Sequence, residues 1–182
     1  MQLKIAQLGQ PVLRKMAQAI PAEDIASPAF QQFVADMRET LEVAGGVGLA
    51  APQVFTSRRV FLARILPPAS ENEKPGIEVF VNPRLTGLSE EAVSAWEGCL
   101  SYVELLVRVP RLRAVRVDYL NAMGEPRAMA LEGFPARVVQ HEFDHLEGIL
   151  TLDRAQSTLD IVKASEIDAV LGPEKDAGHG AE

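Results

Sequence analysis

The pentapeptide His141-Glu142-Phe143-Asp144-His145 constrains this chain more than any other stretch of it. Residues four apart on an α-helix stand one above the other, roughly 5–6 Å between Cβ atoms, so two imidazoles at that spacing can grip one metal ion. That spacing therefore requires a helix here. Glu142 stands about 100° round that helix from His141, beside the metal, where it can act as a base. The chain has three histidines and two of them fall in this motif, which makes chance placement the weaker explanation. Pro135 near the start and Gly148 near the C-terminal end bound the helix within 133–148. Its apolar positions (Val138, Val139, Phe143, Leu146) cover most of the circumference, with Arg137, Asp144 and Glu147 over one side. So largely apolar a helix belongs in the centre of a fold.

Upstream, Ser27-Pro28 offers an N-cap followed by Pro at the first helical position. Phe30, Phe33, Val34, Met37 and Leu41 recur at helical spacing, which predicts an amphipathic helix over 28–43, closed by Gly45-Gly46. Gln10 to Lys15 reads as a short opening turn or strand before a polar loop. Strands are expected at 58–65, at 78–82 with Pro83 as the stop, and at 92–96. A polar loop is expected over 67–76. Residues 107–109 and 114–119 alternate in character, and turn chemistry at 121–125 before 127–131 predicts a hairpin. A last helix is expected over 158–171, ended by Gly172-Pro173. His179 lies in a tail rich in Gly, Lys and Glu, expected to fray.

At 182 residues and 47% apolar content, the chain suits one folded domain, 1–172, with a short tail at 173–182. A net charge of −7 argues against a nucleic-acid surface. Residues 151–182 carry three basic and seven acidic side chains, the wrong sign for an RNA tether. Cys99 is the sole cysteine, so no internal disulfide can form, which suits a reducing compartment. The first residues lack the apolar run of a signal peptide, and no stretch approaches the roughly 18 apolar residues of a membrane span. The expectation is a cytoplasmic enzyme.

Two imidazoles still need a third protein ligand. Cys99 is the best candidate, because a thiolate suits Zn²⁺ or Fe²⁺ and Gly98 lets the backbone turn beside it. An acid downstream of the helix is the other, as in metalloproteases with the same motif. Glu166, 21 residues past His145, fits that part, and spacing leaves both open. Gly46-x-Gly48-x-x-Ala51 matches the letters of a dinucleotide fingerprint. That fingerprint needs a preceding strand and a following helix, whereas here a helical pattern precedes and Pro52-Gln53 follows.

Gly46 to Gln53, Glu97 to Ser101 and Gln140 to Gly148 resemble, in order, the three signature segments of peptide deformylase. Pro11-Val12-Leu13-Arg14 and Arg137-Val138-Val139 are also similar to that family, so the resemblance spans roughly residues 5 to 154. It implies an α+β fold: antiparallel β-sheets packed around a central metal-binding helix, with an N-terminal and a C-terminal helix. It implies Cys99, His141 and His145 as ligands of one divalent ion, Fe²⁺ natively, replaceable by Zn²⁺, Ni²⁺ or Co²⁺. It further implies Glu142 as general acid and base, Gln53 and the Leu100 N–H as donors to the formyl oxygen, and Val47 and Gly48 along the bound peptide. The chain departs from the pattern at Tyr102-Val103, where members often have an aliphatic residue followed by Pro.

The activity so implied is hydrolysis of the N-formyl group from the N-terminal Met of nascent polypeptides, with transient ribosome contact and no nucleic-acid or membrane partner. An apolar pocket for the Met side chain is expected around Val138. The competing expectations are a metalloprotease ligated by Glu166 and a non-catalytic metal-binding paralogue. The second would ordinarily show a damaged ligand or base, and here all are present.

Overall fold

The structure is a computed structural model that describes residues 1–68 and 74–171. Part of the loop expected at 67–76 lies outside the described residues, as do Gly172-Pro173, the tail 173–182 and His179.

Among the described residues, two antiparallel sheets are built from eight strands: β1 (Gly48–Ala50), β2 (Val60–Leu66), β3 (Gly76–Gly87), β4 (Ala92–Gly98), β5 (Leu105–Leu112), β6 (Ala114–Leu120), β7 (Pro126–Glu132) and β8 (Ile161–Lys163). The larger sheet runs β1-β2-β3-β6-β7 and the smaller β4-β5-β8. Five α-helices accompany them among the same residues: α1 (Ala22–Ile25), α2 (Pro28–Ala44), α3 (Phe134–Leu146), α4 (Thr151–Arg154) and α5 (Ile167–Leu171). Among the described residues no helix is long and apolar enough to cross a membrane.

The strand Val60-Phe61-Leu62-Ala63 is apolar at every position because the larger sheet is covered on both faces. Successive side chains of a strand point to opposite faces. Val60 and Leu62 accordingly join Phe30, Val34, Met37 and Leu41 of α2 in one apolar cluster. Phe61 and Ala63 join Val138, Val139 and Leu146 of α3 in another. Neighbouring β3 repeats the division, with Val79 and Val81 on the α2 side and Phe80 on the α3 side. Phe80 stacks on Phe61 at 4.7 Å between ring centroids, and Tyr119 tilts against it at 4.3 Å.

The ends of the two long helices follow the expected chemistry. Ser27 Oγ accepts the Phe30 N–H at 3.2 Å, Pro28 opens α2, and Gly45 closes it with φ +66°. Helix α3 opens through Phe134-Pro135 and closes at Gly148, whose φ is +72°. A Cβ on Gly148 would lie 2.8 Å from the Arg14 carbonyl carbon, so both the backbone angle and the space require glycine. The segment Pro11–Arg14 is a 3₁₀ turn, and it packs the start of the chain onto this end of α3, where the Ala17 N–H bonds the Leu146 carbonyl at 2.7 Å.

The hairpin expected around 114–131 is present as β6–β7, with Asn121 to Glu125 as its turn. Two expectations are corrected. Strand β3 does not stop at Pro83: it runs on to Gly87, and the register with β6 slips by one residue between Val81 and Arg84. That bulge accommodates a residue with no N–H to give the ladder. It is pinned by Asn82, at φ +49°, whose side chain accepts from the Ile20 N–H and donates to the Ile20 carbonyl, both at 2.8 Å. The helix expected over 158–171 is also broken up. Thr158–Asp160 is a 3₁₀ turn, Ile161–Lys163 pairs with β5, Ala164–Glu166 is a second 3₁₀ turn, and only Ile167–Leu171 is α-helical. Arg108 on β5 holds the buried Asp160 at 2.7 Å, and pairing along β5 outcompetes the local helical period.

Candidate metal centre and active site

Helix α3 sets His141 and His145 one above the other, with ring centroids 5.0 Å apart. Cys99 lies in the turn between β4 and β5, which the smaller sheet brings over the helix. Its Sγ is 3.4 Å from His145 Nε2, and donor atoms of Cys99, His141 and His145 all lie within 4.8 Å of one another. Ligand bonds of about 2.0–2.3 Å in a tetrahedron put donors roughly 3.5 Å apart, so this triad has the dimensions to hold one ion. Glu166 is exposed and accepts a hydrogen bond from Ser165 Oγ at 3.0 Å; it is not part of the cluster.

The electrostatics favour positive charge between these donors. His141 is pushed well above its ordinary pKa: burial opposes protonation, but the Cys99 and Glu97 acceptors and the nearby Glu142 outweigh it. A metal cation answers the same field. His145 is pushed well below its ordinary value by burial and by the positive charges of His141 and Arg111, toward the neutral form a ligand requires. Among the described residues, His145 Nδ1 and Glu142 Oε2 are buried without a hydrogen-bond partner.

Glu97 is the residue whose part the sequence reading missed. It accepts from His141 Nδ1 at 3.0 Å, which fixes the ring and leaves Nε2 for a metal. Arg111 grips the same carboxylate through Nε and Nη2, both at 3.0 Å, and Arg137 Nη1 adds a third contact at 2.7 Å. Burial opposes ionisation of Glu97, but His141 and Arg111 prevail and hold its pKa at about 2. Arg111 also donates to Asp144, which Arg154 holds from its outer side at 2.6 Å. Asp144, in the middle of the histidine motif, thus locks α3 to β5. A signal existed: alternation along β5 puts Arg111 on the buried face with Val107 and Val109, and a buried arginine needs acids.

Glu142 is buried against the short strand β1. A Cβ on Gly48 would fall 2.2 Å from Glu142 Oε1 and 2.7 Å from its Cγ, so only glycine lets the two approach. Burial pushes the Glu142 carboxyl up to about 7, with His141 and Arg111 pulling it down and Glu97 pushing it up. Gln53, in the 3₁₀ turn Ala51–Val54, is held by the Ala50 N–H donating to Oε1 at 2.8 Å. That leaves Nε2 facing Ser101 Oγ at 3.3 Å and Cys99 Sγ at 3.5 Å.

Beside this cluster runs a cleft of about 370 Å³. Val47, Gly48, Leu100 and Glu142 line it, and Val103, Phe134 and Val138 give it apolar wall. Tyr102, next to Val103, is buried and turned away from the cleft. Its hydroxyl lies 2.5 Å from Thr151 Oγ1.

The family model for polypeptide deformylase matches residues 2–160. The chain belongs to the polypeptide deformylase family. Among curated deformylases it is 40% identical over 171 residues to peptide deformylase 2 of Nostoc sp., covering 93% of this chain and 94% of that one. It is 41% identical over 151 residues to the peptide deformylase of Thermotoga neapolitana, covering 83% and 85%. The crystal structure of the Thermotoga maritima deformylase superposes with a TM-score of 0.77 at 38% identity, over 86% of this chain and 99% of that chain. A class I type b deformylase from Acinetobacter baumannii with bound actinonin gives 0.76 at 37% identity, over 86% and 99%.

Proposed function

We propose that this deformylase-family chain hydrolyses the N-formyl group from the amino-terminal methionine of newly made polypeptides, releasing formate and a free amine. One observation carries the reading: a thiol and two imidazoles converge within 4.8 Å beside a buried carboxylate that has a cleft in front of it. Cys99, His141 and His145 hold one divalent ion, Fe²⁺ in the cell, exchangeable with Zn²⁺, Ni²⁺ or Co²⁺. When bound, that ion supplies Lewis acidity, making water acidic near neutral pH and polarising the formyl carbonyl.

The chain's own residues do the rest. Glu142 takes the proton of the attacking water and returns it to the departing amine, a task suited to a carboxyl raised to about 7. The Gln53 amide and the Leu100 N–H donate to the oxygen that gains charge as the carbonyl is attacked. Loss of one such donor costs roughly 10²–10³ in rate. Val47 and Gly48 lie along the substrate backbone, and the apolar wall with Val138 receives the methionine side chain. Because Gly48 lets the Glu142 carboxylate stand close, the floor of the cleft is tight enough to admit formyl and exclude a larger acyl group. The enzyme meets its substrates in the cytoplasm as chains leave the ribosome.

Anaerobic purification with metal analysis, followed by assay on a formyl-Met peptide, tests the reading. Glu142→Ala should keep the metal and lose turnover. Retained turnover would sink the assignment of the base, and equal use of acetyl-Met peptides would sink the role of Gly48.

A further inference from the structure

The turn that carries the thiol is the least regular part of the site. Strand β4 ends at Gly98 and β5 begins at Leu105, so Cys99 is held by no sheet ladder, whereas His141 and His145 are spaced by their helix. Whether the sulfur meets the imidazoles depends on what ties this turn to α3 and to the chain that follows it. On one side of Cys99 the tie is Glu97 to His141. On the other side it is Tyr102.

The Tyr102 ring packs with Cys99, Leu13 and Leu150 and is 6% exposed. Its hydroxyl accepts the Thr151 N–H at 3.2 Å and lies 2.5 Å from Thr151 Oγ1. Thr151 is 2% exposed and opens α4, just past the reversal at Gly148 that ends the His145 helix. The Tyr102 N–H also closes the turn back onto the Cys99 carbonyl at 3.1 Å. We infer that Tyr102 is a positioning residue for the thiol: through Thr151 it fixes the Cys99 turn to the His145 end of α3, as Glu97 fixes it to the His141 end. This rests on the reading of Cys99, His141 and His145 as metal ligands. Without the hydroxyl, Thr151 keeps a buried Oγ1 and N–H that have lost their partner, and the turn relaxes away from His145.

The test is anaerobic titration of the metal-free protein with Co²⁺ alone, read by thiolate-to-cobalt absorption and by competition with a chelator. Partners one step behind the ligands change metal affinity by about 10–100-fold, so Tyr102→Phe should weaken Co²⁺ binding about tenfold and alter the thiolate absorption at saturation. Thr151→Val should act in the same direction, while Thr151→Ser, which keeps the hydroxyl, should restore wild-type affinity. Tyr119→Phe, which removes a hydroxyl bonded to Glu78 instead, should bind Co²⁺ like wild type. Wild-type affinity and absorption in both Tyr102→Phe and Thr151→Val would overturn the inference, and so would an equal loss in Tyr119→Phe. If Tyr102→Phe does not fold, the Thr151 pair decides by the same readout. Cys99→Ala separates the two levels: should it bind Co²⁺ as tightly as wild type, the ligand reading itself fails, whatever Tyr102 does.

Discussion

Gly48 and Glu142 touch so closely that the smallest side chain on the first would overlap the carboxylate of the second, 2.2 Å from Oε1. Gly48→Ala must therefore move the base. A misplacement of about 1 Å costs on the order of 10² in rate, and Gly48→Ala should lower kcat by about that factor while the bound metal stays stoichiometric. Steady-state kinetics on a formyl-Met peptide beside metal analysis checks both halves. Unchanged kcat would show that Glu142 has room elsewhere.

Glu97 faces a histidine on one side and two arginines on the other. Glu97→Gln keeps the shape but removes the charge that fixes the His141 ring. Metal affinity should fall about 10–100-fold. The variant should also be less stable by about 3–5 kcal/mol, because Arg111 keeps a buried charge with one acid fewer. Chelator competition measures the first effect and urea unfolding of the metal-free protein the second.

Removing the metal should itself destabilise the fold. Binding at a free concentration of 100 Kd adds about 2.7 kcal/mol, so chelation should lower Tm by several degrees. Cys99→Ala should abolish that dependence, whereas Glu166→Ala should leave it intact, since Glu166 is exposed and lies outside the donor cluster. Scanning calorimetry with and without chelator distinguishes them, and the reverse pattern would favour the protease-like ligand set.

Phe80 stacks between Phe61 and Tyr119 under the metal helix. Phe80→Ala should cost about 3–5 kcal/mol, with the cavity left behind as the main reason. Denaturant titration would show it as a lower midpoint at unchanged slope.

Much of the fold was legible where short-range physics decides. Ser27-Pro28 and Gly45 bound α2, the turn residues at 121–125 set the β6–β7 hairpin, and the i, i+4 histidines sit on a helix. Each depends on a few neighbouring residues, whose capping, turn and periodic signals survive in the linear chain. The segments that resemble the deformylase family include Gly48, Gln53 and Cys99, which the fold brings beside the histidine helix.

Other features depended on partners far away in the chain. Pro83 carries the local signal of a strand end, yet Ile20 anchors Asn82 and lets β3 continue through a bulge. Ile161-Val162-Lys163 had a helical period, yet an open side of β5 captured them as a strand. Spacing alone also left Cys99 and Glu166 both open as partners of the histidines. Only the packing of the smaller sheet over α3 puts the sulfur 3.4 Å from His145 and leaves the Glu166 carboxylate on the surface. The sequence by itself determined which helix presents the imidazoles and which residues could act as acid, base or ligand. The tertiary structure decided which of them meet, because distances between segments more than forty residues apart are set by sheet pairing and core packing rather than by local periodicity.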